Sequence, residues 1–461
     1  MFNLNKARGG TLLTTLAAAS ALSAPAAASS LAIIYNANTD QTSNGSLGTP
    51  LPVSYGQVAG VLSTGGPENH GELFVLTPGK KGTYTKTVVY DFALANADTD
   101  GIVPSNNLVA DKAGNVWITV NNNGPNGQGT LGEMVKPATK GGAWTYRTVF
   151  AMPATFVHDN GGGGYYDMLF DPKGNLYGVV AGGITGGADG AIWELKAADL
   201  ASGTGAPKIL YTFPGTDNSN PSGLVRDKQG NFYGFEPTGG ASGNGALWEV
   251  SPPATHGGAW TRQNIHSFCS DVDQWGGCID GNAPQGSPAI DKNGVLYGAT
   301  YEGGGDYSCM ALCSSNGLVF SMQPPVSGGT GTYTVLHTLQ DYNSAGSPSA
   351  DWWIHAPTDG VILSKTGQVL TATFTGGAGY PDAAPIIEGA VISVDPTSGA
   401  DSIVSNAFAP GGQSDCGPGP VTPNTELRLD SKGRIYGSTL TYAASDNCQV
   451  SVNGVIFQIT P

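Results

Sequence analysis

An eight-residue phrase, Asp171-Pro172-Lys173-Gly174-Asn175-Leu176-Tyr177-Gly178, returns along this chain about every sixty residues. It recurs as Asp227 to Gly234, Asp291 to Gly298 and Asp430 to Gly437, more loosely as Asp111 to Ile118, and in degenerate form as Ser364 to Thr371 and Val53 to Gly60. The turn glycines are Gly56, Gly114, Gly174, Gly230, Gly294, Gly367 and Gly433, at intervals of 58, 60, 56, 64, 73 and 66 residues. Seven tandem units of one kind bury their surfaces against one another. The chain of 461 residues thereby escapes the size limit of a single core.

Each unit carries three further elements. A glycine opens an alternating strand at Gly71, Gly129, Gly190, Gly245, Gly317, Gly389 and Gly454, as in Gly190-Ala-Ile-Trp-Glu-Leu195. A β-branched and aromatic run follows, such as Thr87 to Phe92 or Ile209 to Phe213, and an apolar strand precedes each turn, as in Gly223 to Asp227. Four strands per unit make an all-β fold, a seven-bladed β-propeller of four-stranded blades. The last unit stops at Pro461 after its third strand, and Leu31 to Tyr35 resembles the missing fourth. The N-terminal strand is therefore expected to pair in the last blade, closing the ring and leaving no open sheet edge.

Residues 1–30 read as a signal peptide. Lys6 and Arg8 precede an apolar run from Thr11 to Leu22, and Ala19-Ser-Ala21 and Ala26-Ala-Ala28 both fit a small-residue cleavage site. Residues 31–461 are expected to form one propeller domain, secreted or periplasmic. The 70 Gly, 30 Pro and 12% charged residues suit short strands and tight turns. Without Lys6 and Arg8, 18 basic residues face 35 acidic ones, a balance that argues against nucleic acid and anionic membrane as partners. No apolar run is long enough for a membrane span. The reading is a monomer with no cofactor and no metal site.

The Asp-x-x-Gly-Asn phrase invites a calcium reading. Its simpler one is a hairpin turn, in which Asp accepts from its own backbone two residues on and Gly supplies a positive φ. In a blade, these turns lie on one face, and the loops between strands two and three share the other with the blade-to-blade connections. From the strand-two position to the strand-three glycine those loops run 11, 11, 12 and 11 residues in units one to four, but 19, 18 and 17 in units five to seven. Elaboration thus gathers in one sector of one face, where function usually sits.

All six cysteines fall in that sector: Cys269, Cys278, Cys309, Cys313, Cys416 and Cys448. An even count in an exported chain argues for disulfides, local pairs being favoured and Cys416 with Cys448 the most constraining. Trp275, Tyr301, Tyr307, Asp351, Trp352, Trp353, His355 and Tyr380 lie there too, and are the candidate ligand-binding residues. Aromatic faces stack on the C–H faces of sugar rings while carboxylates bond their hydroxyls. An extracellular glycan or other polar ligand is therefore the expected partner. Pinning of the long loops explains the same aromatics equally well. No G-x-S-x-G, H-E-x-x-H or deaminase motif is present, so catalytic residues are not assigned. A polysaccharide lyase or hydrolase at the same face and a protein-interaction scaffold are the alternatives, with binding ahead of catalysis.

The unit pattern, best seen in Asp171 to Gly178 and Gly245 to Val250, resembles the GloVer tandem repeats of exported bacterial proteins. That resemblance extends over nearly the whole mature chain and implies a cell-surface or secreted propeller of no settled activity. Such proteins often carry a C-terminal anchor. No sorting tail precedes Pro461, so free release is expected.

Overall fold

The computed structural model describes residues 29–460 apart from 38–45, 157–164, 185–187, 215–219, 256, 275, 305–316, 326–330, 340–354, 358, 376–388, 406–418, 424, 444–449 and 452–453. Seven antiparallel sheets follow one another in chain order, six built on four strands from one repeat and the seventh on strands of the last repeat and one from the N-terminus. Blade three is typical, with strands Tyr165–Phe170, Leu176–Ile184, Ala188–Leu195 and Lys208–Pro214 running outward from the axis. In blades two, five, six and seven the innermost strand is split, as at Ile102–Pro104 and Val109–Ala110. Among the described residues no helix is long and apolar enough to cross a membrane.

The repeated phrase folds as the hairpin turn that its residues dictate. Asp171 Oδ1 accepts from the N–H groups of Lys173 (2.8 Å) and Asn175 (2.9 Å), and Oδ2 accepts from Asn175 Nδ2 (2.9 Å) and the Tyr177 hydroxyl (3.3 Å). One carboxylate thus ties the turn to the strand after it, which is why Asp, Asn and an aromatic donor recur together. Asp227 repeats the pattern with Asn231 and Tyr233, and Asp111 with Asn115 and Trp117. In degenerate blade six the Ser364 hydroxyl takes over, accepting from the Gln368 N–H at 2.9 Å.

Strands two and three pack by a reciprocal rule. Gly60, Gly178, Gly234, Gly298 and Gly437 stand directly opposite Phe74, Trp193, Trp248, Phe320 and Phe457. A Cβ on any of these glycines would come within 3 Å of the opposing ring. The ring therefore lies flat across the sheet where a side chain would have stood. Blade two inverts the arrangement: Gly132 lies on strand three, opposite Ile118, and makes room for Tyr146. Apolar clusters straddle all seven blade pairs; one sets Tyr177, Ile192 and Phe213 of blade three against Phe232, Trp248 and Val250 of blade four.

Every fourth strand carries a one-residue bulge against strand three, at Val89, Val149, Leu210, Ile265, Leu336, Val404 and Ile34. A bulge turns an extra side chain out of the strict alternation and increases the local twist. Two adjacent apolar residues in the outer strand can then both be partly covered, as Ile209 and Leu210, Val335 and Leu336, and Ile403 and Val404 are. The strand Ser30–Asn36 pairs antiparallel with Val455–Thr460 and bears the same bulge, so the N-terminus is the fourth strand of blade seven. Leu31 packs toward blade six and Ile34 toward blade one, sealing both neighbouring interfaces.

Candidate functional site

Two places on the ring collect chemistry. The first is the connection from blade four into blade five. Cys269 and Cys278 form a disulfide there, nine residues apart, in the local pairing expected for an exported chain. The buried Asp280 carboxylate accepts from the Ser270 N–H (3.1 Å) and hydroxyl (2.7 Å) and faces His266 Nε2 at 3.2 Å. Burial alone would raise the Asp280 carboxyl, but the hydrogen bonds from His266 and Ser270 outweigh it and hold the group below its ordinary value. The His266 ring stacks on Tyr333 at 3.8 Å, and the Tyr333 hydroxyl donates to the Asp280 carbonyl at 2.8 Å.

This bracing leaves Val272 and Ile279 exposed on the stapled loop. The loop is bonded to the end of the strand Leu296–Glu302 through Gly304 N–H to the Cys278 carbonyl (2.8 Å) and Asn282 Nδ2 to Glu302 (2.9 Å). Tyr301, a candidate from the sequence, stands on that strand end with 38% of its surface exposed. His355 opens the innermost strand of blade six, where its backbone pairs with Thr375. Trp275, Tyr307, Asp351, Trp352, Trp353 and Tyr380 lie outside the described residues, as do Cys309, Cys313, Cys416 and Cys448.

The second place is the axis, which the sequence reading missed. Seven residues before each turn glycine stand Thr49, Asn107, Asp167, Gly223, Ser287, Gly360 and Glu426, one per blade. Several meet across the axis. Asn107 Nδ2 donates to Asp167 Oδ1, and Ser287 Oγ donates to Asp167 Oδ2 at 2.7 Å. Arg428 donates to Glu426 through Nη1 and to Asn107 Oδ1 through Nη2 at 2.8 Å. The chain Glu426–Arg428–Asn107–Asp167–Ser287 therefore links blades seven, two, three and five. Blade four contributes Gly223, at φ +71°, where a Cβ would run into the Gly286 carbonyl and the Ser287 backbone. The missing side chain is what lets Ser287 reach Asp167 past an intervening blade.

Arg428 stands five residues before its turn glycine. The other blades hold Leu51, Val109, Leu169, Val225, Ala289 and Ile362 there, so one guanidinium interrupts an otherwise apolar wall. Burial pushes the Asp167 carboxyl up to about 7, helped by the charge of Glu426. Asp359, one residue before Gly360, rises to about 8 through burial and the charges of Glu426 and Asp167. For Arg428, burial alone would pull the guanidinium down, but the surrounding carboxylates reverse this and hold it above its ordinary value. From this polar layer a cavity of about 360 Å³ runs along the inner strands to Ala110, Ile290 and Leu363, the last residues before the turns. The signal was present in sequence as a fixed offset from the turn glycine. It carries meaning only once the ring brings seven distant positions to one axis.

The sequence model of the Gloeobacter/Verrucomicrobia repeat matches residues 137–355. No curated protein matches the chain in sequence. Among solved structures, a streptogramin B lyase is similar at 12% identity and a TM-score of 0.47, over 94% of this chain and 97% of that one. A catalytically inactive virginiamycin B lyase from Staphylococcus aureus, with quinupristin, is similar at 14% identity and a TM-score of 0.46, over 94% and 99%. A polysaccharide lyase of family PL25, an ulvan lyase, is similar at 11% identity and a TM-score of 0.45, over 90% and 94%. Residues 137–355, matched by the Gloeobacter/Verrucomicrobia repeat, run from the end of blade two to the start of blade six, and the chain that carries them is a seven-bladed β-propeller.

Proposed function

We propose that this is an exported binding protein, taking a glycan or similar polar ligand on the loop-elaborated face of a rigid ring. The observation that carries the reading is the stapled connection into blade five. Its disulfide and Asp280 network hold an irregular loop in place, while Val272, Ile279 and Tyr301 stay in water. Apolar groups kept exposed on a rigid support mark interaction sites. By sequence, Trp352, Trp353 and Tyr380 fall in the long connections assigned to the same sector, and in this reading they supply stacking faces and Asp351 a carboxylate.

A glycan array comparing wild type with Tyr301→Ala, Trp352→Ala and Trp353→Ala tests this. Retained folding with at least ten-fold weaker binding in one or more variants is expected, since loss of one stacking face is worth about 1.4 kcal/mol or more. Unchanged binding in all three refutes it. Release of product from a polymeric glycan, lost on changing Asp351 or His355, would make the same face catalytic instead.

A further inference from the structure

The axial cavity, at the opposite end of the ring from the elaborated loops, has a composition of its own. Its wall is apolar, contributed by Leu51, Val109, Val225, Ala289 and Ile362 among others, and its inner end is charged. Three carboxylates, Asp167, Asp359 and Glu426, share one cation, Arg428. Glu426 is only 6% exposed and lines the cavity. It gives Oε2 to Arg428, while Oε1 accepts no hydrogen bond among the described residues. Asp359 likewise receives only the Gly360 N–H, on Oδ1 at 3.0 Å. A charge set away from bulk water ordinarily finds a counter-charge. Here three carboxylates face one guanidinium, and the second oxygen of Glu426 is left to the cavity that this side chain lines, where a cation carrying N–H groups would meet it.

We propose that this cavity binds a small organic cation, a primary ammonium on a short apolar body, with the ammonium at Glu426 and the body against the apolar wall. An ammonium brings three donors and one positive charge, and so balances one of the two carboxylate charges that Arg428 leaves over. A bare metal ion fits less well. Among the described residues no three His, Cys, Asp or Glu side chains converge as a metal-binding group, and an ion would leave the apolar wall uncovered. A volume of about 360 Å³ lies within the range of small-molecule sites. Protons held by Asp167 and Asp359 balance these charges in the free protein, and the ligand would displace the one on Asp167. Binding should then tighten about ten-fold from pH 6 to pH 8 for a displaced proton whose site titrates at about 7.

Isothermal titration calorimetry on the full chain tests this with benzylamine, benzyl alcohol, benzoate and calcium chloride. Benzylamine alone is expected to bind, about ten-fold more tightly at pH 8 than at pH 6. Glu426→Gln should weaken it at least ten-fold. Because that variant changes a buried pair, Ala110→Trp serves as a second: Ala110 is exposed at the cavity mouth, so the indole blocks access and leaves the charges and the fold in place. No heat from benzylamine at 10 mM (about the weak end of measurable affinity), equal binding of benzyl alcohol, binding of calcium alone, or full binding by a folded Ala110→Trp would each overturn the proposal. None of these residues belongs to the stapled loop face, so either reading can fail without the other.

Discussion

Ring closure by the N-terminal strand can be tested with one pair of neighbouring residues. Ile34 is the bulged residue of Ser30–Asn36, 7% exposed, and packs among Val58, Phe74, Leu76, Tyr436 and Ile456 of blades one and seven. Ile33, beside it, is 41% exposed. Truncating a buried isoleucine to alanine costs about 2–5 kcal/mol, the spread reflecting how far the site can collapse. A terminal strand can shift to fill part of the void, so Ile34→Ala should cost about 2–3 kcal/mol. Ile33→Ala should cost under about 0.5 kcal/mol. In urea, with a slope of about 3 kcal/mol per molar, the first variant lowers the midpoint by about 0.8 M and the second by less than about 0.2 M. Equal midpoints for the two variants, with unchanged slopes, would mean that the strand does not sit between blades one and six as described.

Two further outcomes follow from the packing and from the axis. Gly298→Ala places a Cβ 2.5 Å from Phe320 Cζ and should cost about 2–3 kcal/mol, whereas Gly294→Ala, in an open turn at φ +86°, should cost about 1 kcal/mol; urea midpoints distinguish them, and equal losses would refute the flat-ring packing. Asp167 and Asp359 hold protons in the folded protein that the unfolded chain releases near pH 4, so the folded state binds more protons between about 4 and 8. Stability should therefore fall as pH rises through that window, by on the order of 1 kcal/mol per unit for each of the two protons, and Asp167→Asn should flatten the dependence; a wild-type curve that rises from pH 5 to 8 would contradict it.

The architecture was legible because its determinants are local. Asp171, Asn175 and Tyr177 meet within seven residues, and the turn that they form looks the same whichever blade it joins. Seven copies of a self-contained hairpin, with one strand missing at the C-terminus and one to spare at the N-terminus, leave a closed ring as the arrangement that pairs every edge. The Cys269–Cys278 pairing was legible for the same reason, a short loop in one connection.

The axial site was not legible. Asn107, Asp167, Ser287, Asp359, Glu426 and Arg428 are scattered over more than three hundred residues, and each is unremarked in its own repeat. Hydrogen bonds such as Arg428 to Asn107 and Ser287 to Asp167 join blades that are not even neighbours. Only ring closure gives them a common axis, and only burial there, away from water, turns ordinary carboxylates into groups that keep their protons near neutral pH. Local sequence determined the unit; the closed ring determined which residues of different units meet, because that contact is made through space and not along the chain.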